Sequence, residues 1–345
     1  MAGFISGCTS CSLWNPNLCS LCASFLRHRP SCRCKCIVHQ IVDTTSTEMY
    51  NRTVTSGKLI AGVRAAVGTP RDNEGGLDEH GLRTVLEFLI NQGIKGFAIN
   101  GATGEYALTT PDELSRMLAI AVEVTKDRAD LICGIGSASL HGCLNLIKVA
   151  AAYEIKALLL PMPHFFPYAQ TDLDAFCRAV AAKTDRPILL YNLPFSSPLA
   201  ADTVVRLLKE CPNIIGIKDS SGSLDILRQL TQQVPDACRI VGSDGVLEQA
   251  LLEDCCDGVI SGVASVLPEL IFSLYNEKAT PHNPMFIKAA ASLTNYIDAI
   301  RHFPVPWGLK FTGEFLGILP ASFSQPLSAE RRAQAETLRM WVRNL

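Results

Sequence analysis

A (β/α)8 barrel with a C-terminal helical extension is the fold class that this 345-residue sequence predicts. Two observations carry that expectation. From residue 59 onward, short apolar runs alternate with amphipathic segments of helical length, the pattern of βα units feeding a parallel sheet. There are eight such runs, and they are continuously apolar, as strands covered on both faces should be. An open doubly wound sheet would show similar local patterns, but no G-x-G-x-x-G follows the first run, which weakens the dinucleotide-binding form of that fold.

The expected strands are Leu59 to Val67, Gly96 to Asn100, Leu131 to Gly136, Ala157 to Met162, Pro187 to Leu193, Ile214 to Lys218, Arg239 to Ser243 and Gly258 to Val263. Helical patterns fall between them, among them Asp78 to Asn91, Pro111 to Thr125, Leu173 to Lys183 and Ala201 to Glu210. The second of these opens with Thr110 as a cap hydroxyl, Pro111 at the first helical position and Asp112 and Glu113 in the first turn. Further helical runs around Met285 to Ile300, Trp307 to Leu316 and Ala329 to Val342 follow the eighth strand. The expected organisation is a leader over residues 1–48, the barrel over 49–265 and a helical region over 266–345.

With 48% hydrophobic and 19% charged residues, the chain can bury one large core. Its net charge of −2, with acids and bases interspersed, leaves no electrostatic footprint for nucleic acid, and no apolar run reaches the roughly 18 residues of a membrane span. A small-molecule partner and a soluble, cytoplasmic protein are expected. Half of the 14 cysteines (Cys133, Cys143, Cys177, Cys211, Cys238, Cys255 and Cys256) are scattered through apolar or helical stretches, as buried small side chains in a reducing compartment would be.

The other half crowd into residues 1–36, within a segment rich in Ser and Arg that has no acidic residue before Asp43. Three readings fit this leader. Cys8-x-x-Cys11 and Cys19-x-x-Cys22 imitate a zinc site, although the seven residues between the pairs are short for a zinc ribbon. Arg27, Arg29 and Arg33 could instead charge an organellar targeting peptide. The third reading, favoured here, is a dispensable or untranslated leader ahead of Met49.

Functional residues of such a barrel gather where strands end and βα loops begin. Lys218 ends the apolar run Ile214-Ile215-Gly216-Ile217, just before the polar loop Asp219-Ser220-Ser221-Gly222. Burial at such a place favours the neutral, nucleophilic form of an amine, although structural ion pairs also occupy strand ends. Tyr191 ends the fifth run, where a phenol both donates and accepts protons, and where tyrosine is also common core filler. The loop Gly101-Ala102-Thr103-Gly104 after the second run can turn the amides of Ala102 and Thr103 inward as a nest for a carboxylate, or simply make a tight turn. Taken together, an amine, a phenol and a carboxylate nest describe class I aldol chemistry on a 2-keto acid. The seven histidines show no H-x-H or H-E-x-x-H spacing, and only His164 falls near a strand end, so no metal and no cofactor are expected.

At these residues the chain resembles the dihydrodipicolinate synthase and N-acetylneuraminate lyase family of pyruvate-dependent class I aldolases. Gly101-Ala102-Thr103-Gly104-Glu105 is similar to its G-[TS]-T-G-E loop, Tyr191-Asn192-x-Pro194 to its Y-N-x-P strand end, and Ile215 to Gly222 to its Schiff-base lysine segment, with Gly258-Val259-Ile260-Ser261 in the eighth strand. The resemblance implies an imine on Lys218, proton relay by Tyr191, carboxylate binding by Thr103 and the 102–103 amides, Ile260 packed near the imine, and a homotetramer or homodimer.

Three positions depart from the synthase pattern. Ser196 stands where those synthases carry an arginine for the aldehyde's carboxylate, Ala102 replaces the first threonine of the loop, and Phe165 occupies the place of a tyrosine. A serine hydroxyl does not replace bidentate recognition by a guanidinium. Hydroxyls at Ser196 and Ser197, with His164 across the loop, suit a polyhydroxylated acceptor, so the expected substrate is a 2-keto-3-deoxy sugar acid. Dihydrodipicolinate synthesis, a keto-acid dehydratase and a catalytically inactive keto-acid-binding protein are the alternatives.

Overall fold

The computed structural model describes residues 59–344. The leader, its cysteine pairs and Met49 lie outside the described residues. Eight parallel strands form where the apolar runs predict them: β1 (Gly62–Ala66), β2 (Gly96–Ile99), β3 (Asp130–Gly134), β4 (Ala157–Pro161), β5 (Ile188–Asn192), β6 (Ile214–Asp219), β7 (Cys238–Val241) and β8 (Gly258–Ser261). They follow chain order around a closed barrel, and β8 returns to β1 in a register running from Gly62 opposite Gly258 to Ala65 opposite Ser261.

Side chains alternate across a strand, so each continuous apolar run feeds two cores at once. Ala66, Ala98, Ile132, Leu159, Leu189, Ile240 and Ile260 fill the barrel. Their neighbours Ile99, Leu158, Leu160, Leu190, Ile217 and Val259 face outward beneath the helices. This alternation aims Tyr191 inward, and the β5–β6 register sets Lys218 opposite it. At the other end of the barrel, Arg64 of β1 is buried and donates to Asp130 over 2.8 Å, while Lys156 meets the same carboxylate at 2.5 Å. The arginine passes over Gly96, where a Cβ would stand 2.9 Å from Arg64 Cγ, so that residue has no room for a side chain.

Eight helices cover the barrel: α1 (Glu79–Asn91), α2 (Pro111–Thr125), α3 (Leu140–Ala150), α4 (Gln170–Ala181), α5 (Ala201–Glu210), α6 (Asp225–Gln233), α7 (Leu247–Leu252) and α8 (Pro268–Asn276). In α1, Leu82, Val85, Leu86 and Leu89 recur at helical spacing and are buried, each such side chain contributing roughly 1.5–3 kcal/mol by leaving water. The Thr110 hydroxyl accepts from the Glu113 amide at 3.2 Å, with Pro111 in the first turn, so α2 starts as the sequence predicts.

The boundary drawn from the sequence at residue 265 falls between β8 and α8, the helix that Pro268 opens and that packs against β1. The helical region then comprises α9 (Pro284–Ile300), α10 (Trp307–Phe315) and α11 (Ala329–Val342). Phe303, Trp307, Phe311, Leu338 and Val342 form its own apolar cluster, and the buried Tyr296 hydroxyl is 2.9 Å from Thr312 Oγ1. No described helix is long and apolar enough to cross a membrane.

Candidate active site

The strands deliver Lys218 and Tyr191 to the C-terminal mouth of the barrel, where both are almost wholly buried, at 2% and 3% exposure. The Lys218 amine donates to the Tyr191 hydroxyl across 3.1 Å and lies 4.3 Å from the ring centre. Gly242, just after β7, makes room for the lysine, since a Cβ there would stand 2.8 Å from Lys218 Cε and 2.9 Å from Cγ. The strand ends are locked by Asn192, which donates to Asp219 at 3.0 Å and accepts from the Leu199 amide at 3.0 Å. An amine and a phenol held at this distance can exchange a proton, which carbonyl addition and dehydration require.

The loop after β2 turns through two left-handed residues, Asn100 (φ +60°) and Glu105 (φ +56°). Asparagine tolerates that conformation better than glutamate, so the Glu105 end must be held from outside. Lys310 of α10 does so with a buried 2.5 Å ion pair, Ser324 donates to the other carboxylate oxygen at 3.0 Å, and Thr69 donates to the Gly104 carbonyl at 2.7 Å. Burial is the main cause that moves the Lys310 amine below its ordinary pKa, with Glu105 opposing it. Among the described residues, the amides of Ala102 and Thr103 have no acceptor, and both residues line the same cavity as Lys218.

That cavity holds about 330 Å³, within the range of small-ligand sites. Tyr191, Lys218, Ser220, Ser243 and Asp244 form its polar parts. Leu193, Phe195, Ile297, Ile300, Phe303 and Leu309 make an apolar wall, with Arg301 set in it. Asp244 Oδ2 accepts from the Val263 amide at 3.2 Å, whereas its Oδ1 is buried without a partner. Burial pushes the Asp244 carboxyl above the usual carboxylate range, against the Ser261 and Val263 hydrogen bonds and the Lys218 charge. Burial also pushes the Tyr106 phenol up to about 12, with Tyr191 adding to the effect.

Of the residues singled out from sequence, Lys218, Tyr191, Ala102 and Thr103 come together around the cavity, and Ile260 lies in the barrel interior packed with Tyr191. Ser196 and His164 do not join them. The Ser196 hydroxyl donates to the Leu193 carbonyl at 3.3 Å, and the His164 ring stands edge-on to Tyr106 with centroids 5.9 Å apart. Ser197 serves the scaffold, accepting from the Tyr168 amide at 2.8 Å. Phe165 is 83% exposed at φ +90°. In the sequence Gly242 stood only within the seventh expected strand and Asp244 just after it, neither with a role. Nothing in the sequence marked Arg301 and the wall around it, because the strand-end rule does not reach helices that follow the barrel.

Residues 59–344, the whole of the described structure, match a single protein family. The chain belongs to the dihydrodipicolinate synthetase family. This is a family of pyruvate-dependent class I aldolases, and the chain therefore stands among lyases and synthases of that type. It is 29% identical over 300 residues to a 4-hydroxy-tetrahydrodipicolinate synthase of Thiobacillus denitrificans, covering 82% of this chain and 96% of the relative. A protein of the same name from Campylobacter jejuni subsp. doylei is 32% identical over 219 residues, covering 63% and 73%. The barrel and its helical extension are similar to the crystal structure of dihydrodipicolinate synthase from Aquifex aeolicus, with a TM-score of 0.77 and 23% identity over 83% of this chain and 98% of that one. At that identity the likeness is one of fold.

Proposed function

We propose that this family member is a Schiff-base enzyme for pyruvate or a related 2-keto acid. The observation that carries the proposal is the 3.1 Å pairing of the buried Lys218 amine with the Tyr191 hydroxyl on the floor of a cavity that also contains the unpaired 102–103 amides. Lys218 Nζ attacks the keto carbon, and Tyr191 moves a proton onto the departing hydroxyl, so that water leaves and an imine forms. The keto-acid carboxylate takes the two loop amides, and Ile260 packs beside the imine. Loss of a proton from the carbon next to the imine gives an enamine. That carbon bonds to an aldehyde, or in reverse the bond breaks, and water then frees Lys218.

For the acceptor, the relatives' name supports a condensation of the 4-hydroxy-tetrahydrodipicolinate synthase type, pyruvate with aspartate semialdehyde, over the sugar-acid substrate expected from Ser196 and His164. Those two side chains lie outside the cavity lining. One observation keeps the sugar-acid reading alive: Ser220 Oγ is buried without a partner, and Ser243 lines the cavity beside it. Turnover should be measured with pyruvate plus aspartate semialdehyde and, separately, as pyruvate release from a panel of 2-keto-3-deoxy sugar acids. Condensation of the first pair is expected. Pyruvate release from a sugar acid without that condensation would return the assignment to the sugar-acid lyases. The exposed Phe165 and Phe166, at 83% and 61%, are a surface that a second copy would cover in the homo-oligomer implied by the family, which sedimentation would read.

A further inference from the structure

Among the described residues, two cationic side chains line the active-site cavity, Lys218 on its floor and Arg301 in its wall. Once Lys218 is committed to an imine, Arg301 is the guanidinium left to meet a substrate. It stands at the end of α9, where its amide donates to the Ile297 carbonyl at 2.9 Å. The backbone beyond it is fixed as well: the Phe303 amide donates to Ile300 at 3.0 Å, the His302 carbonyl accepts from Arg331, and the Phe303 side chain is buried. The guanidinium's present partner is Asp298 at 3.4 Å, a stretched pair with both side chains more than half exposed, which holds it weakly.

We propose that Arg301 binds the carboxylate of the acceptor aldehyde, supplying from the helical region the cation that the loop after β5 does not provide. The proposal rests on the condensation reading above and deepens it. A planar fork suits a carboxylate bidentately, and Leu193, Phe195, Ile300 and Phe303 line the cavity with it. Among the described residues that line the cavity, the one acidic side chain is Asp244, on the Lys218 side. A carboxylate-bearing aldehyde that displaces the weak Asp298 pair then sets its anion on Arg301 and its carbonyl toward the enamine.

The test compares wild type, Arg301→Gln and Arg301→Lys with pyruvate and two acceptors, aspartate semialdehyde and an uncharged aldehyde of similar length. Pyruvate trapping by borohydride confirms that each variant keeps a working lysine. Arg301→Gln should raise KM for aspartate semialdehyde by at least tenfold and flatten the preference over the uncharged aldehyde, with Arg301→Lys recovering part of it. An unchanged preference in Arg301→Gln, while wild type condenses aspartate semialdehyde, overturns the role of Arg301 alone. A wild type that traps pyruvate but condenses no aspartate semialdehyde overturns the condensation reading and this assignment with it.

Discussion

At the scale of single residues, the cavity floor sets a cost against its chemistry. Asp244 keeps one carboxylate oxygen buried without a partner, and burial raises its pKa above the ordinary value near 3.9. Between those two values the folded chain holds a proton that the unfolded chain has released, so stability falls as pH rises through that window and stays lowered above it. Asp244→Asn keeps the oxygen that accepts from Val263 and removes the charge. Its melting temperature should exceed wild type by a few degrees at pH 7–8, with the gap closing toward pH 4. A gap that does not change with pH would show that desolvation of the carboxylate is not the cause. Lys218 and Tyr191 were legible in the sequence because a strand's period of two fixes which way a terminal side chain points, and Thr103 because Gly101 and Gly104 mark the turn that carries it. Ser196 and His164 were not, since loop side chains obey no such period, and each turned to a local partner instead.

At the scale of elements, the helical region is part of the site. Its α10 reaches the β2 loop through the Lys310–Glu105 pair, at 10% and 9% side-chain exposure, and thereby holds a glutamate in the left-handed region next to the 102–103 amides. Removing one member of a buried pair strands the other charge, at a cost of about 3–5 kcal/mol. Lys310→Met should lose stability on that scale in urea unfolding and should also raise the KM for pyruvate, because the loop is released. Arg83→Ala, which breaks the exposed Arg83–Glu123 pair, is the control and should change neither. Equal behaviour of the two variants would remove the link between α10 and the loop. None of this was readable from sequence, where Lys310 and Glu105 are 205 positions apart and α10 looked like an appendix. The strands and caps were readable, since apolar runs and the Thr110-Pro111 start are local signals.

At the scale of the whole molecule, local patterns alone left closed and open sheets as rivals. The β8–β1 register decides for closure, and closure is what gathers the ends of β2, β5, β6 and β7 around one cavity. The cavity wall belongs to this scale too, because it is built where the helical region meets the barrel mouth. The central claim, an imine on Lys218, is tested most directly by reducing the protein with borohydride in the presence of pyruvate and mapping the product by mass spectrometry. A reduced pyruvyl adduct on the peptide containing Lys218, absent in Lys218→Arg, is the expected result. An unmodified Lys218, or an adduct carried equally by Lys218→Arg, would contradict it.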